Sequence, residues 1–105
     1  MATKTIAGKA VEVDGDGFLA NPDDWTEDMA PEIAKEIGIN ELTEQHWKVL
    51  KFMREDFNEK GQIPTIRRLK NAGGVPIKDL YALFPKGPSK KAAMIAGLGK
   101  PQGCV

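Results

Sequence analysis

Apolar positions along the 105-residue chain first alternate and then recur every three to four residues. Between Thr5 and Val13, Val11 and Val13 flank the polar Glu12, and Gly8 separates the two arms, which predicts a small β-hairpin turning at Gly8. Asp14-Gly15-Asp16-Gly17 predicts a second turn, after which Phe18 and Leu19 return to the core. From residue 21 the period becomes helical. Asn21 is placed to cap a short turn, with Pro22 suited to its first position. Thr26 is expected to cap a helix running to about Ile37, with Glu27 and Asp28 in its first turn. Met29, Ile33 and Ile37 recur at spacing four beside Ala30 and Ala34, and Gly38 stops the run. Thr43 then caps the longest helix, Glu44 to Lys60, ending at Gly61. Trp47, Leu50, Met53 or Arg54, and Phe57 share one face of it, with Val49 and Phe52 alongside, so it is expected to be the central core helix.

Shorter helices follow. Pro64 opens one that carries Ile66, Arg67, Arg68 and Leu69, and Asn71-Ala72-Gly73-Gly74 breaks it. Pro76 opens another, with Ile77, Leu80, Tyr81, Leu83 and Phe84 as its apolar face, and Pro85 ends it. Gly87-Pro88 starts the last, Ser89 to about Ala96, with Ala92, Met94 and Ile95 facing inward and Gly97 as its stop. The final ten residues hold three glycines and Pro101, a composition that supports neither continuous helix nor strand. The expected fold is therefore mainly α: a small orthogonal helical bundle with an N-terminal β-hairpin, a helix-turn-helix-like helix pair and a flexible C-terminal arm. One domain is expected over residues 1–105, divided into a hairpin region 1–20, a helical core 21–96 and a mobile arm 97–105.

Composition fits this picture. Hydrophobic residues make up 41% and charged residues 29% of the chain, as in ordinary globular proteins. The N-terminus opens no long apolar run, and no stretch approaches membrane-spanning length, so neither signal peptide nor membrane association is expected. The net charge is zero, but it is unevenly spread. Residues 1–59 carry six Lys/Arg against fourteen Asp/Glu, and residues 60–105 carry nine Lys/Arg against Asp79 alone. The two halves could simply attract each other on folding. The basic half could also guide docking onto an acidic surface or favour an anion held near it.

The candidate chemistry sits at the end of the chain. Cys104, penultimate, is the only cysteine, which excludes a disulfide framework and suits a reducing cytoplasm. With one residue after it, it is not a prenylation signal. Composition alone leaves an incidental exposed thiol as the plainer reading. The turn at Asp14 lacks the spaced ligands and terminal glutamate of a calcium loop, so no metal is expected. His46, the single histidine, lies in the first turn of the long helix, where a cap role is expected over catalysis, because no acid or second nucleophile completes a triad. Two short helices around a glycine turn in a basic segment also describe a helix-turn-helix, which makes a DNA-binding or regulatory protein the rival reading.

Several blocks together carry a family resemblance. Ala96-Gly97-Leu98-Gly99-Lys100-Pro101-Gln102-Gly103-Cys104-Val105 resembles the C-terminal arm of the DsrC/TusE sulfur carriers. Leu83-Phe84-Pro85-Lys86-Gly87-Pro88-Ser89-Lys90 matches that family's L-F-P-x-G-P-x-K block, and Pro64-Thr65-Ile66-Arg67-Arg68-Leu69 matches its P-x-[IV]-R-x-L helix. Asp16-Gly17-Phe18-Leu19 and Leu42-Thr43-Glu44-Gln45-His46-Trp47 are similar to its N-terminal half. The resemblance runs from about residue 6 to the end. There are two departures: Gly99 stands where the family arm usually has proline, and Ala93 stands where many sulfite-reductase-associated members carry a second cysteine, eleven residues before the last. The single thiol fits the tRNA-thiolation branch, whereas the short Asn71-to-Val75 connection fits the sulfite-reductase branch, so the two signals point apart. An engineered exchange at 93 would leave the same sequence.

The resemblance implies a carrier that accepts sulfur as a persulfide on Cys104 and passes it to a partner protein, in dissimilatory sulfur metabolism or tRNA thiolation. It implies a co-substrate rather than a stand-alone catalyst, with no cofactor besides the carried sulfur. Its partners would be a sulfur donor and an acceptor, sulfite reductase or a sulfur-relay complex. Arg67, as the motif arginine, and Lys100, close to the thiol in sequence, are the candidates for supporting the sulfur anion. Lys86 and Lys90 could do the same or dock partners. The plainer alternatives are a surface ion pair for Arg67 and a solvated ammonium for Lys100. The expected state is mostly monomeric, with a minor Cys104-linked dimer under oxidation, and weak DNA binding belongs to the rival reading.

Overall fold

The computed structural model describes residues 2–99 and is mainly helical, with an N-terminal hairpin. Strands β1 (Ala2–Ile6) and β2 (Lys9–Val13) pair antiparallel, from Ala2 opposite Val13 to Ile6 opposite Lys9. Ala7 and Gly8 both take positive φ (51° and 80°), as a tight primed turn requires. Ile6, Val11 and Val13 face the core, while their neighbours face solvent. At the following turn Asp14 Oδ1 accepts from the backbone N–H of Asp16 and of Phe18, 2.9 and 3.0 Å. That carboxylate folds the loop and drives Phe18 and Leu19 into the core, where both are buried.

Asn21 caps a short 3₁₀ turn, Pro22–Asp24, by accepting from Asp23 N–H. Helix α1 (Met29–Glu36) starts two residues later than a Thr26 cap implies. Residues 26–30 are closed by three-residue bonds, Met29 N–H to Thr26 O and Ala30 N–H to Glu27 O, so the chain is a turn there before it becomes α-helical. Its stripe of Met29, Ala30, Ile33 and Ala34 is buried as the spacing predicts.

Helix α2 (Glu44–Lys60) has the expected bounds, from the Thr43 cap to Gly61 in the left-handed region at φ 71°. Its inward face is turned from the predicted one. His46, Val49, Leu50, Met53 and Asp56 are buried, whereas Trp47, Phe52 and Phe57 are half-buried against the core. Two polar residues lie on that face because each has a partner. His46 Nδ1 accepts from Thr43 N–H at 3.0 Å, and Nε2 lies 2.9 Å from Leu83 O, an arrangement that requires the Nε2–H tautomer. Asp56 receives Arg68 Nε and Nη2 at 2.6–3.0 Å.

Helices α3 (Ile66–Asn71, capped by Thr65) and α4 (Ile77–Leu83, led by Pro76) form the predicted short pair, and α5 (Pro88–Ile95) crosses to α1 and α2. The Phe84-to-Pro88 block works as a corner. Lys86 at φ 61° and Gly87 at φ 120° reverse the chain between α4 and α5, and Pro88 opens the new helix. Phe18, Met53, Leu80, Phe84 and Ile95 are wholly buried, and removing each large side chain from water contributes about 1.5–3 kcal/mol.

The Arg68 hydrogen bonds hold the Asp56 carboxyl below the ordinary carboxylate range, outweighing the opposing effect of burial. A depressed folded-state value contributes stability that is present above the unfolded value and lost as pH falls through the folded one. Asp56→Asn should therefore lower the thermal midpoint at pH 6–7. Its deficit relative to wild type should shrink as pH drops below about 4. Thermal unfolding of both proteins from pH 3 to 7 checks this, and a pH-independent deficit would contradict it.

Candidate functional site

The described chain ends at the root of the predicted arm, and that root is a built structure. Helix α5 stops in a double turn: Gly97 N–H bonds Met94 O at 3.2 Å, and Leu98 N–H bonds Ala93 O at 2.9 Å. Gly97 takes φ 74°, and a Cβ there would run into the indole ring of Trp25, so only glycine fits. The next carbonyls along the helix end are taken by side chains from elsewhere. Trp25 Nε1–H donates to Ile95 O at 2.8 Å, and Arg54 Nη1–H donates to Ala96 O at 2.6 Å. Arg54 Nη2–H reaches Pro22 O at 3.1 Å, and its guanidinium lies 4.4 Å from the Trp25 ring centre. Burial pulls the Arg54 pKa down and Asp23 partly offsets it. A cation at the C-terminal end of a helix is also favoured by the helix dipole.

Gly97 and Leu98, expected in a mobile arm, are thus held in the body, and Leu98 is buried. Cys104 and Lys100 lie outside the described residues. Ala93 is fully buried inside α5.

The remaining predicted residues fall at the other end of α5. Ser89 Oγ–H donates to Pro64 O at 3.0 Å, bringing the start of α5 to the lead-in of α3. Arg67 is exposed on α3, one turn past that bond, Lys86 is exposed at the corner, and Lys90 is partly covered in the first turn of α5. The length of α5, about 12 Å for eight residues, separates the Lys86 corner from the arm root. His46 is a structural cap, its ring edge-on to Phe84 at 5.1 Å. Among the described residues no group of His, Cys, Asp or Glu is disposed to hold a metal ion.

Sequence reasoning missed Trp25 and Arg54 as parts of the site. Their signal was present, since Arg54 is a cation on the apolar stripe of α2, an expensive position unless its donors have partners. What the stripe does not tell is that the partners are carbonyls 32 and 42 residues away.

Comparison with known proteins places this geometry in context. The profile of the family described as "DsrC like protein" matches residues 5–105. The chain is 40% identical to the dissimilatory-type sulfite reductase subunit gamma of Nitratidesulfovibrio vulgaris over 105 residues, covering all of both. It is 43% identical to the sulfurtransferase TusE of Photorhabdus laumondii over 112 residues, again covering all of both. The NMR structure of Allochromatium vinosum DsrC superposes with a TM-score of 0.85 at 42% identity, covering 98% of this chain and 97% of that one.

The root is testable through its one obligatory glycine. Gly97→Ala should cost more than about 1 kcal/mol, because alanine is strained at positive φ and must also displace Trp25. Urea unfolding measures the loss, and an unchanged midpoint would mean that the helix end is not pinned as described.

Proposed function

The chain belongs to the DsrC/TusE family of sulfur carriers, and we propose from that premise that Cys104 is the residue on which it carries sulfur. It is a sulfur-relay protein, a co-substrate passed between partners rather than a stand-alone enzyme. The family lends no support to DNA binding by the α3–α4 pair.

The observation that carries the reading is the pinned root of the arm. Cys104 lies five residues past Gly99, the last described residue, and covalent geometry limits its reach to about 17 Å from there. A thiol on so short a lead enters a partner's site only when the body is docked nearby. In the reaction the Cys104 thiolate attacks the outer sulfur of a donor persulfide. The Cys104 S–S bond forms, the donor S–S bond breaks, and the donor leaves as a thiolate. An acceptor thiolate then attacks the same outer sulfur and returns Cys104 as thiolate. Because position 93 is a buried alanine, the second step needs a thiol from another molecule.

Lys100 supports the thiolate and persulfide anions as the nearest cation in sequence, and Arg67, Lys86 and Lys90 serve docking. The two branches are nearly equal in identity. The match to the sulfite reductase gamma subunit covers both chains in 105 positions, without the added positions that the TusE match requires. That favours a sulfite-reductase-type donor. The reducing cytoplasm keeps the thiol free between transfers, and mild oxidation yields a minor Cys104–Cys104 dimer.

Incubation with glutathione persulfide followed by intact-mass measurement should show a gain of one sulfur, about 32 Da, removed by reductant and absent in Cys104→Ala. A gain that persists in the mutant, or none in the wild type, would rule out carriage at Cys104.

A further inference from the structure

Helix α4 carries two large apolar side chains that the fold leaves uncovered. Ile77 is 40% and Tyr81 47% exposed, and among the described residues no other large hydrophobic is exposed. One turn apart, they stand on one face of α4, while Leu80 between them is wholly buried, so the helix has a core side and a second apolar side turned outward. Around that face the charge is positive. Lys78 lies within α4, Lys70 is in the last turn of the neighbouring α3, and Lys86 follows on the corner, all exposed and without an ion-pair partner among the described residues. Arg68 is the one cation of residues 60–99 seen in an ion pair.

We propose that this face of α4 is the surface by which the carrier docks on its sulfur-exchanging protein partner, at a site that offers an apolar pocket ringed by carboxylates. The proposal rests on the sulfur-carrier reading and adds the recognition surface to it. An aromatic and an aliphatic anchor inside a charged rim is the pattern of protein interfaces, in which a few central side chains supply most of the affinity and the rim charges steer encounter. A nucleic-acid face would put its cations at the centre; here the centre is apolar. The position is compatible with delivery. One short helix, α5, about 12 Å long for its eight residues, separates the corner after α4 from the arm root, and five residues beyond Gly99 allow a reach of about 17 Å.

The test uses the full chain and a dissimilatory sulfite reductase lacking its gamma subunit, with the dissociation constant read by biolayer interferometry. Ile77→Asp and Tyr81→Ala should each weaken binding at least tenfold. Lys78→Glu should weaken it several-fold and flatten its dependence on salt. All three positions are exposed, so thermal midpoints should stay at the wild-type value, and sulfur gain from glutathione persulfide should be unchanged. Wild-type affinity in both Ile77→Asp and Tyr81→Ala, or no binding by the wild-type chain, would overturn the docking assignment while leaving carriage at Cys104 intact. Loss of sulfur gain in the wild type would instead overturn the carrier chemistry. Tyr81-dependent self-association, or Tyr81-dependent binding of duplex DNA, would also overturn the assignment by giving the face another occupant.

Discussion

The contact on which the rest of the molecule depends is the guanidinium of Arg54 against the end of α5. A half-buried arginine has lost much of its water, and its donors must be repaid by acceptors of good geometry. Ala96 O and Pro22 O provide them, and the Trp25 ring covers the cation. The same arrangement satisfies the helix end, whose last carbonyls would otherwise be orphaned. One side chain of α2 thereby ties the 3₁₀ turn near residue 22 to the root of the arm near residue 96. Gly97 is the corollary, because the indole that donates to Ile95 O occupies the space where any larger residue would place its Cβ.

Helix α2 repeats this device along its length. Near its start His46 caps the helix with one ring nitrogen and bonds Leu83 O with the other, fixing the end of α4. In its third turn Arg54 fixes the end of α5, and in its fourth Asp56 fixes α3 through Arg68. Polar residues on a core-facing stripe usually weaken a helix. Here each is spent on a backbone carbonyl or a charge partner of a different element, which turns apolar burial into a specific arrangement of short helices that would be marginal alone.

This explains what the sequence made legible. The hairpin, the capped ends of α2 and the breaks around α3, α4 and α5 follow from local rules about glycine, proline and cap residues, and local rules are visible in one sequence. The inward face of α2 was not. Periodicity ranks Trp47 and Phe57 as core because they are large and apolar, yet His46 and Asp56 take the inner positions because partners distant in the chain satisfy them. The start of α1 was misplaced because Thr26 looks like a cap, while the backbone there closes three-residue turns. The site divided along the same line. Its thiol is a matter of composition and family resemblance, whereas its support by Trp25 and Arg54 is a long-range contact with no local signature.

Carriage of a reactive sulfur sets two opposed demands, and the fold answers them with different parts. The thiol has to be accessible to more than one partner, which argues against enclosing it. A persulfide exposed to every cellular thiol would be lost, so transfer has to be fast only where a partner is docked. A short lead from a pinned root meets both demands. On the proposal that Cys104 carries the sulfur, five residues after Gly99 limit its reach to about 17 Å, so docking of the body would raise its effective concentration in the partner's site without any change in intrinsic reactivity. With α5 unpinned at Ile95, nine residues instead of five would separate Cys104 from the last held position, and the gain from docking would fall. By holding Ile95 O and Ala96 O, the Trp25–Arg54 clamp fixes the last described turn, from which the proposed carrier residue is five to nine residues distant. With alanine buried at position 93 there is no thiol among the described residues, so on the proposed reading the acceptor is chosen by the surface that docks it.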